Sequence, residues 1–502
     1  MKYIRLFYII CLLLPLEDIF GQNDDVQERI KKIEEGLTLR IKREGNPTIK
    51  MNIKERMDFH KVKGLSIAVI NNGKIEWAKG YGIKNDEGGL VDDRTIFQAG
   101  AISKLITASI VMTLVGAGKV NLDEDINNKL QSWKVPENEF TKEEKVTLRR
   151  ILTHHAGLAD VGMNDGGYLP YAKLPTVTNI LKGEAPAFNA PITVNSIPGK
   201  TPRVAGEGYV IAQQLIEDIV KQSYQDYVEN NFFDKLGMTY SSYRQDLPVH
   251  LLPLVTTGHS KGKELQGKWK LHPAYGSGGL WATPSDVAKF MIEMQNAISD
   301  KGKILSKKIA NEMLTPQKGN ETRGIGFYLN GKENELSFYH RGWSQGYTTY
   351  ALAFKDTGQG IVMMTNADTE GYKLMMEVLR SVANEYKWTD NRCVEALPIQ
   401  EVETVKMESK QFEFYHGEYL LEGRKLGKVE TINNQLCMNV DEKKIVELFP
   451  IKEDEFITDD GDHLMFIRNP GQLSAGVMFK DPITNYAAKR VDLNPTLVKS
   501  GH

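Results

Sequence analysis

Cysteine is nearly missing from this sequence, with three in 502 residues: Cys11, Cys393 and Cys437. So few exclude a disulfide-stapled scaffold. No His/Cys cluster has metal-ligand spacing either, the pair His154–His155 being too little alone, so no metal and no cofactor are expected. An excess of one charge is also missing. The 63 Lys+Arg against 65 Asp+Glu give a net charge of −2, which removes any electrostatic ground for a nucleic-acid partner. Internal repeats and low-complexity tracts are absent. Beyond the first two dozen residues there is no long apolar run, so no stable membrane span is expected once the leader is removed.

What is present describes an ordinary globular protein, 41% hydrophobic and 25% charged. The opening "MKYIRLFYIICLLLPLEDIFGQ" carries Lys2 and Arg5 ahead of an apolar run from Leu6 to Leu16. It has the form of a secretory signal peptide, residues 1–21, cleaved after Gly21; an uncleaved anchor is the alternative. Val26, Ile30, Ile33 and Leu37 recur at helical spacing in the charged stretch that follows. "GLSIAVINNGKIEWAKGYG" (64–82) reads as strand, tight Asn-Gly turn and strand. A mostly helical region runs to about residue 300, strands return over 325–366, and a helix is expected over 372–386. Strands from both ends of this region, combined in one antiparallel sheet flanked by helices, make an α/β (α+β) domain over 22–390. A polar linker (391–411) then leads to short alternating strands, read as a small all-β barrel over 412–502.

Four stretches carry chemistry. "FQAGAISKLITASIVMTLVGAG" (97–118) is a helix apolar on nearly every face, yet Lys104 sits at its mouth, one turn after Ala101. "ILTHHAGL" (151–158), "GSGGLWATPSDVAKF" (276–290) and "FYHRGWSQGYTTYALAFKDTGQGIVMMTN" (338–366) follow in that order. Together with the hairpin at 64–82 they resemble the serine β-lactamases, penicillin-binding proteins and related esterases, peptidases and acyltransferases, in particular those of the class C β-lactamase and D-aminopeptidase type, over roughly residues 50–390. The C-terminal β domain is similar to the lipocalin-like module that often follows this fold. The resemblance implies the β-lactamase/transpeptidase-like architecture and a bacterial protein, periplasmic or secreted. It also implies acyl-serine chemistry. A serine at a helix start attacks a carbonyl, a lysine one turn on relays its proton, a tyrosine assists, and two backbone N–H groups hold the oxyanion.

This chain departs from that pattern twice. The nucleophile position holds Ala101 while Lys104 is kept. After Pro198–Gly199 the second motif reads Val204-Ala205-Gly206-Glu207-Gly208-Tyr209, with Val204 in the tyrosine position. His340, Arg341 and Gly342 stand at the third motif. His340 is expected to line the pocket, and Gly342, Trp343 and Arg341 to contact substrate. Ser103 is turned roughly 200° around the helix from Ala101 and is not expected to replace the nucleophile. His154, His155 and Gly157 are read as holding a turn, and Glu207 as a solvated loop charge. The segment 159–191, with Tyr168, Tyr171 and Phe188, is expected to form one pocket wall.

Three functions are compatible with these residues. The first is a secreted pseudoenzyme that binds a small molecule, peptide or peptidoglycan-derived ligand without turning it over. The second is an active hydrolase or acyltransferase in nucleophile-substituted form or with unfamiliar chemistry. The third is an interaction protein working through its C-terminal β domain.

Overall fold

The computed structural model describes residues 17–163, 167–319, 322–388, 393, 399–421, 424–441, 444–480 and 485–491. The apolar leader, residues 1–16, lies outside them. Two compact units are present: Met1–Gly36 with Met51–Ala396, and Leu37–Lys50 with Leu397–His502.

In the larger unit, helix α1 (Glu17–Glu34) buries Ile30 and Ile33 and runs across the expected cleavage point at Gly21. The hairpin follows as β1 (Gly64–Asn71) and β2 (Lys74–Gly82). Asn72 and Gly73 between them both have positive φ, 53° and 69°, the turn geometry that asparagine and glycine reach at least cost. Helices α2 (Ser103–Gly116), α3 (Glu207–Val220) and α4 (Pro284–Ile298) precede β3 (Tyr328–Asn330), β4 (Ser337–Ser344), β5 (Tyr347–Phe354) and β6 (Gly360–Thr365), and α5 (Thr369–Glu385) closes the series. The sheet order is β2-β1-β6-β5-β4-β3, antiparallel throughout, so strands from both ends of the unit meet at its centre as expected. All of β5 and β6, and all but the last residue of β1, are buried. Their nearly unbroken apolar runs, rather than a period of two, are what strands covered on both faces require.

Helix α2 is the axis of the helical region, with 11 of its 14 residues buried. Its hydroxyls are satisfied locally or by one neighbouring strip: Ser109 Oγ donates to Leu105 O, and Thr107 Oγ1 to Gly276 O at 2.9 Å. In the smaller unit nine antiparallel strands run from Gly417 to Arg490. The two edge strands, Lys444–Glu447 and Phe449–Lys452, are separated by Leu448 alone in sequence yet lie at opposite ends of the sheet order. A sheet whose edges are covalent neighbours must curl almost to closure, which gives the barrel-like form. The segment Leu37–Lys50 belongs here because Ile41–Arg43 pairs in parallel with Gln400–Val402, and Arg43 bonds Asp459 at 2.7 Å.

One buried ionic cluster ties the segment before the hairpin to α5. Glu377 accepts from Arg56 Nη2 at 2.6 Å and Nε at 2.8 Å, and lies 2.9 Å from His60 Nε2. Burial alone would raise the Glu377 pKa; the Arg56 and His60 contacts more than offset this and hold it below the usual carboxylate value. Glu377→Gln should therefore cost roughly 3 kcal/mol in urea unfolding by leaving the Arg56 charge without a counter-ion, whereas the paired change Arg56→Met with Glu377→Leu should recover most of that loss.

Candidate active site

The site forms where the first turn of α2 meets the edge of β4. Gly100 has φ +51°, and a Cβ there would stand 2.4 Å from Trp343 O; one on Gly342 would stand 2.0 Å from Ala99 O. Glycine on both sides of the contact is what lets helix start and strand backbone touch. Ala101 and Lys104 then open into a cleft of about 100 Å³, lined also by Met163, His272, Ser277, Trp343 and Ser344.

Lys104 is buried and its Nζ donates to Ser277 O at 2.8 Å. Burial lowers its pKa to about 8, with Glu207 attracting the charge and Arg323 repelling it. Two neighbours on α2 fasten the same strip: Thr107 donates to Gly276 O, and Ser103 Oγ accepts from Leu280 N at 3.0 Å. Ser103 also donates to Gly100 O at 2.7 Å and is fully buried, outside the cleft. The turn of the helix decides this, since Ser103 and Ala101 face different ways.

The imidazoles here are held neutral. His340 Nδ1–H donates to Arg341 O at 2.6 Å, its ring lies 5.2 Å from that of Tyr328, and burial with Lys104 nearby pushes its pKa down to about 3. It is buried beside the cleft rather than lining it. His154 accepts the Ala205 N–H at 3.1 Å and is kept neutral by burial, Arg323 and Lys104. Its φ of 62°, the bond from Arg203 N to its carbonyl, and the packing of Gly157 on Ser196 make this stretch a turn, as expected.

Other residues fall elsewhere. Val204 is 62% exposed on the loop before α3, outside the cleft lining. Arg341 lies over the Tyr372 ring at 5.5 Å, because successive residues of a strand point to opposite faces and His340 has the cleft side. Glu207, read as solvated, is buried in the first turn of α3, accepting from Val161 N at 3.3 Å; desolvation raises its pKa. In the wall segment, Tyr168 and Phe188 stack at 4.6 Å and line a small annex of about 30 Å³, while Tyr171 is exposed.

Three groups escaped the motif reading. Ser277 and Ser344 place hydroxyl-bearing residues in the cleft. His272 lines both cleft and annex; burial lowers its pKa to about 4, and its buried Nε2 has no hydrogen-bond partner among the described residues. Ser277 lies inside the quoted "GSGGL", but only its place beneath Lys104 marks it.

A buried lysine at the start of an apolar helix, set against the edge of an antiparallel sheet, defines the scaffold of the penicillin-recognising serine hydrolases. Residues 49–383 match the family described as Beta-lactamase, and the chain belongs to that family. It is 24% identical over 344 residues to Protein flp of Staphylococcus aureus (strain N315), covering 65% of this chain and 64% of that protein. It is 23% identical over 304 residues to the putative penicillin-binding protein PbpX of Bacillus subtilis (strain 168), covering 59% and 68%. The chain thus spans about two thirds of the length of these curated relatives. Among solved structures, the octameric penicillin-binding protein homologue from Pyrococcus abyssi superposes with a TM-score of 0.57 at 22% identity, covering 87% of this chain and 98% of that one. A D-amino acid amidase from Ochrobactrum anthropi SV3 gives 0.55 at 21%, covering 66% and 98%. Among the described residues no helix is long and apolar enough to cross a membrane.

The lowered pKa of Lys104 has a measurable consequence. Its folded-state value is about 8 against 10.5 for the free side chain. Below pH 8 both states carry the proton and the folded state bears the full cost of burying it. Between pH 8 and 10.5 the unfolded chain holds more protons, so this group's contribution to stability rises with pH. Lys104→Met removes that dependence. The stability of the parent minus that of the variant should rise by roughly 2 to 3 kcal/mol between pH 7 and pH 10 in urea unfolding.

Proposed function

We propose that this chain is a ligand-binding homologue whose acyl-serine chemistry is lost or strongly reduced. The observation that carries this reading is the pairing at the start of α2: a lysine with a pKa of about 8 shares the cleft with a methyl group at Ala101. An alanine has no atom on which to build an acyl ester. In a comparable serine hydrolase, loss of the nucleophile costs on the order of 10⁶ in kcat. Val204, an apolar residue turned to solvent, supplies no phenol for proton transfer. The cleft itself persists, with positive charge at Lys104 and with Trp343 and Ser344 among its lining residues. Those features suit a small acyl compound or peptide bearing a carboxylate, including fragments of peptidoglycan. The basic, apolar N-terminal segment supports export from a bacterial cell as the setting for such binding.

A second reading rests on Ser277. It lines the cleft together with Lys104, which donates to its backbone carbonyl, and with the neutral imidazole of His272. There Lys104 or His272 takes the Ser277 proton and Oγ attacks the acyl carbon, releasing the amine or alcohol and leaving an ester that water hydrolyses.

Intact-protein mass after incubation with a penicillin and with an activated ester separates the two readings. We expect no adduct on the parent chain and one penicilloyl or acyl group on the double variant Ala101→Ser with Val204→Tyr. An adduct on the parent overturns the binding-only reading, and its mapping to Ser277 establishes the second.

A further inference from the structure

We propose that Asp86, His259 and Glu264 form a divalent-metal site, suited to Zn²⁺, behind the hairpin that borders the cleft. The ligating atoms of these three side chains lie within 4.8 Å of one another. Residues His259–Ser260 pair with Lys263–Glu264 around the Lys261–Gly262 turn, and the register sets His259 directly opposite Glu264. Cross-strand partners share a sheet face, so the hairpin itself brings imidazole and carboxylate together. Asp86 comes from the loop after β2, and its N–H donates to Glu264 Oε2 at 3.3 Å. Thr257 Oγ1 donates to the same oxygen at 2.8 Å, fixing that carboxylate and leaving Oε1 for a further partner.

The state of His259 singles this cluster out from an ordinary group of acidic side chains. The residue is fully buried. Its Nδ1 stands 3.1 Å from Asn366 O, and a carbonyl only accepts, so Nδ1 donates there and Nε2 is the ring nitrogen left for a further partner. Among the described residues that buried Nε2 has no hydrogen-bond partner, and it faces Asp86 Oδ1 at 3.5 Å. A buried ring nitrogen without a partner, set beside two carboxylates, is an arrangement that a bound cation completes. A backbone carbonyl orienting the far nitrogen is the outer-shell device that metal-bound histidines use. One imidazole with two carboxylates matches the nitrogen-and-oxygen sets that hold Zn²⁺, with water completing four ligands. Magnesium and calcium favour oxygen-only shells.

The location gives such an ion a role. His259 N donates to Gly346 O at the tip of the β4–β5 hairpin, and its own carbonyl accepts from Asp368 N at 3.0 Å. Asp368 in turn accepts from Trp343 Nε1 at 2.5 Å and from Ser260 Oγ. Two hydrogen bonds thus connect the metal-bound residue to Trp343, a lining residue of the cleft, so occupancy would stiffen that side of the site.

The test uses the full chain, freed of metal by chelator and titrated with Zn²⁺ alone against a chromogenic chelator. We expect saturable one-to-one binding, weakened at least about tenfold in both Asp86→Asn and Glu264→Gln, with the unfolding temperature of the metal-free variants matching the parent. Asp86 is exposed, so its variant keeps the fold even where a change at His259 does not. Bound Co²⁺ should show no thiolate-to-metal band, separating this site from Cys393 and Cys437. Hydrogen exchange at 343–348 should slow on zinc addition. Absence of saturable binding by the folded parent, indifference to both substitutions, or a preference for Ca²⁺ over Zn²⁺ overturns the assignment.

Discussion

Burying the Lys104 ammonium inside an apolar helix is the constraint around which the cleft is arranged. An isolated charge in such surroundings is strongly disfavoured, and the chain offsets this in three ways. The Ser277 carbonyl accepts its proton, Glu207 supplies a buried opposite charge, and the pKa falls to about 8 so that the neutral form is within reach. Ser103 and Thr107 bind the same 276–280 strip from adjacent turns. The lysine is therefore part of what holds the cleft floor in place. This gives a physical reason for a buried lysine beside Ala101 that needs no reacting partner: its contacts hold the strip below it.

Around that lysine the electrostatics are one-sided. His340, His154 and His272 are all kept neutral, chiefly by burial, while Lys104 feels the positive charge of Arg323 and the buried carboxylate of Glu207. Neutral imidazoles leave lone pairs available without adding repulsion. At the α2–β4 contact, glycines on both sides permit the close approach of the two backbones.

The Asp86–His259–Glu264 cluster lies on the far side of the hairpin tip from this floor, and the two are connected through Gly346, Asp368 and Trp343. The cleft is thus bounded by one wall fastened through α2 and another fastened through the His259 segment. It is held from two sides, by α2 with Lys104 and by the His259 segment.

Local sequence determined a good deal of this protein. The Asn-Gly turn, the unbroken apolar runs of β1 and β6, the buried α2 and the absent hydroxyl at 101 were all legible, because each depends on neighbours in the chain or on identity at one position. The turn at 154–157 was legible for the same reason. Tertiary structure alone decided the rest. Glu207 is buried because Val161 and Lys104 arrive from other segments, and Arg341 faces α5 because strand alternation gives the cleft side to His340. Ser277 and His272 matter only through what folds over them. The three candidate metal donors stand at 86, 259 and 264, a spacing that signals nothing until a hairpin register and a loop bring them within 4.8 Å. Short-range pattern fixes elements and deletions, whereas burial, charge partners and ligand sets come from residues far apart in sequence.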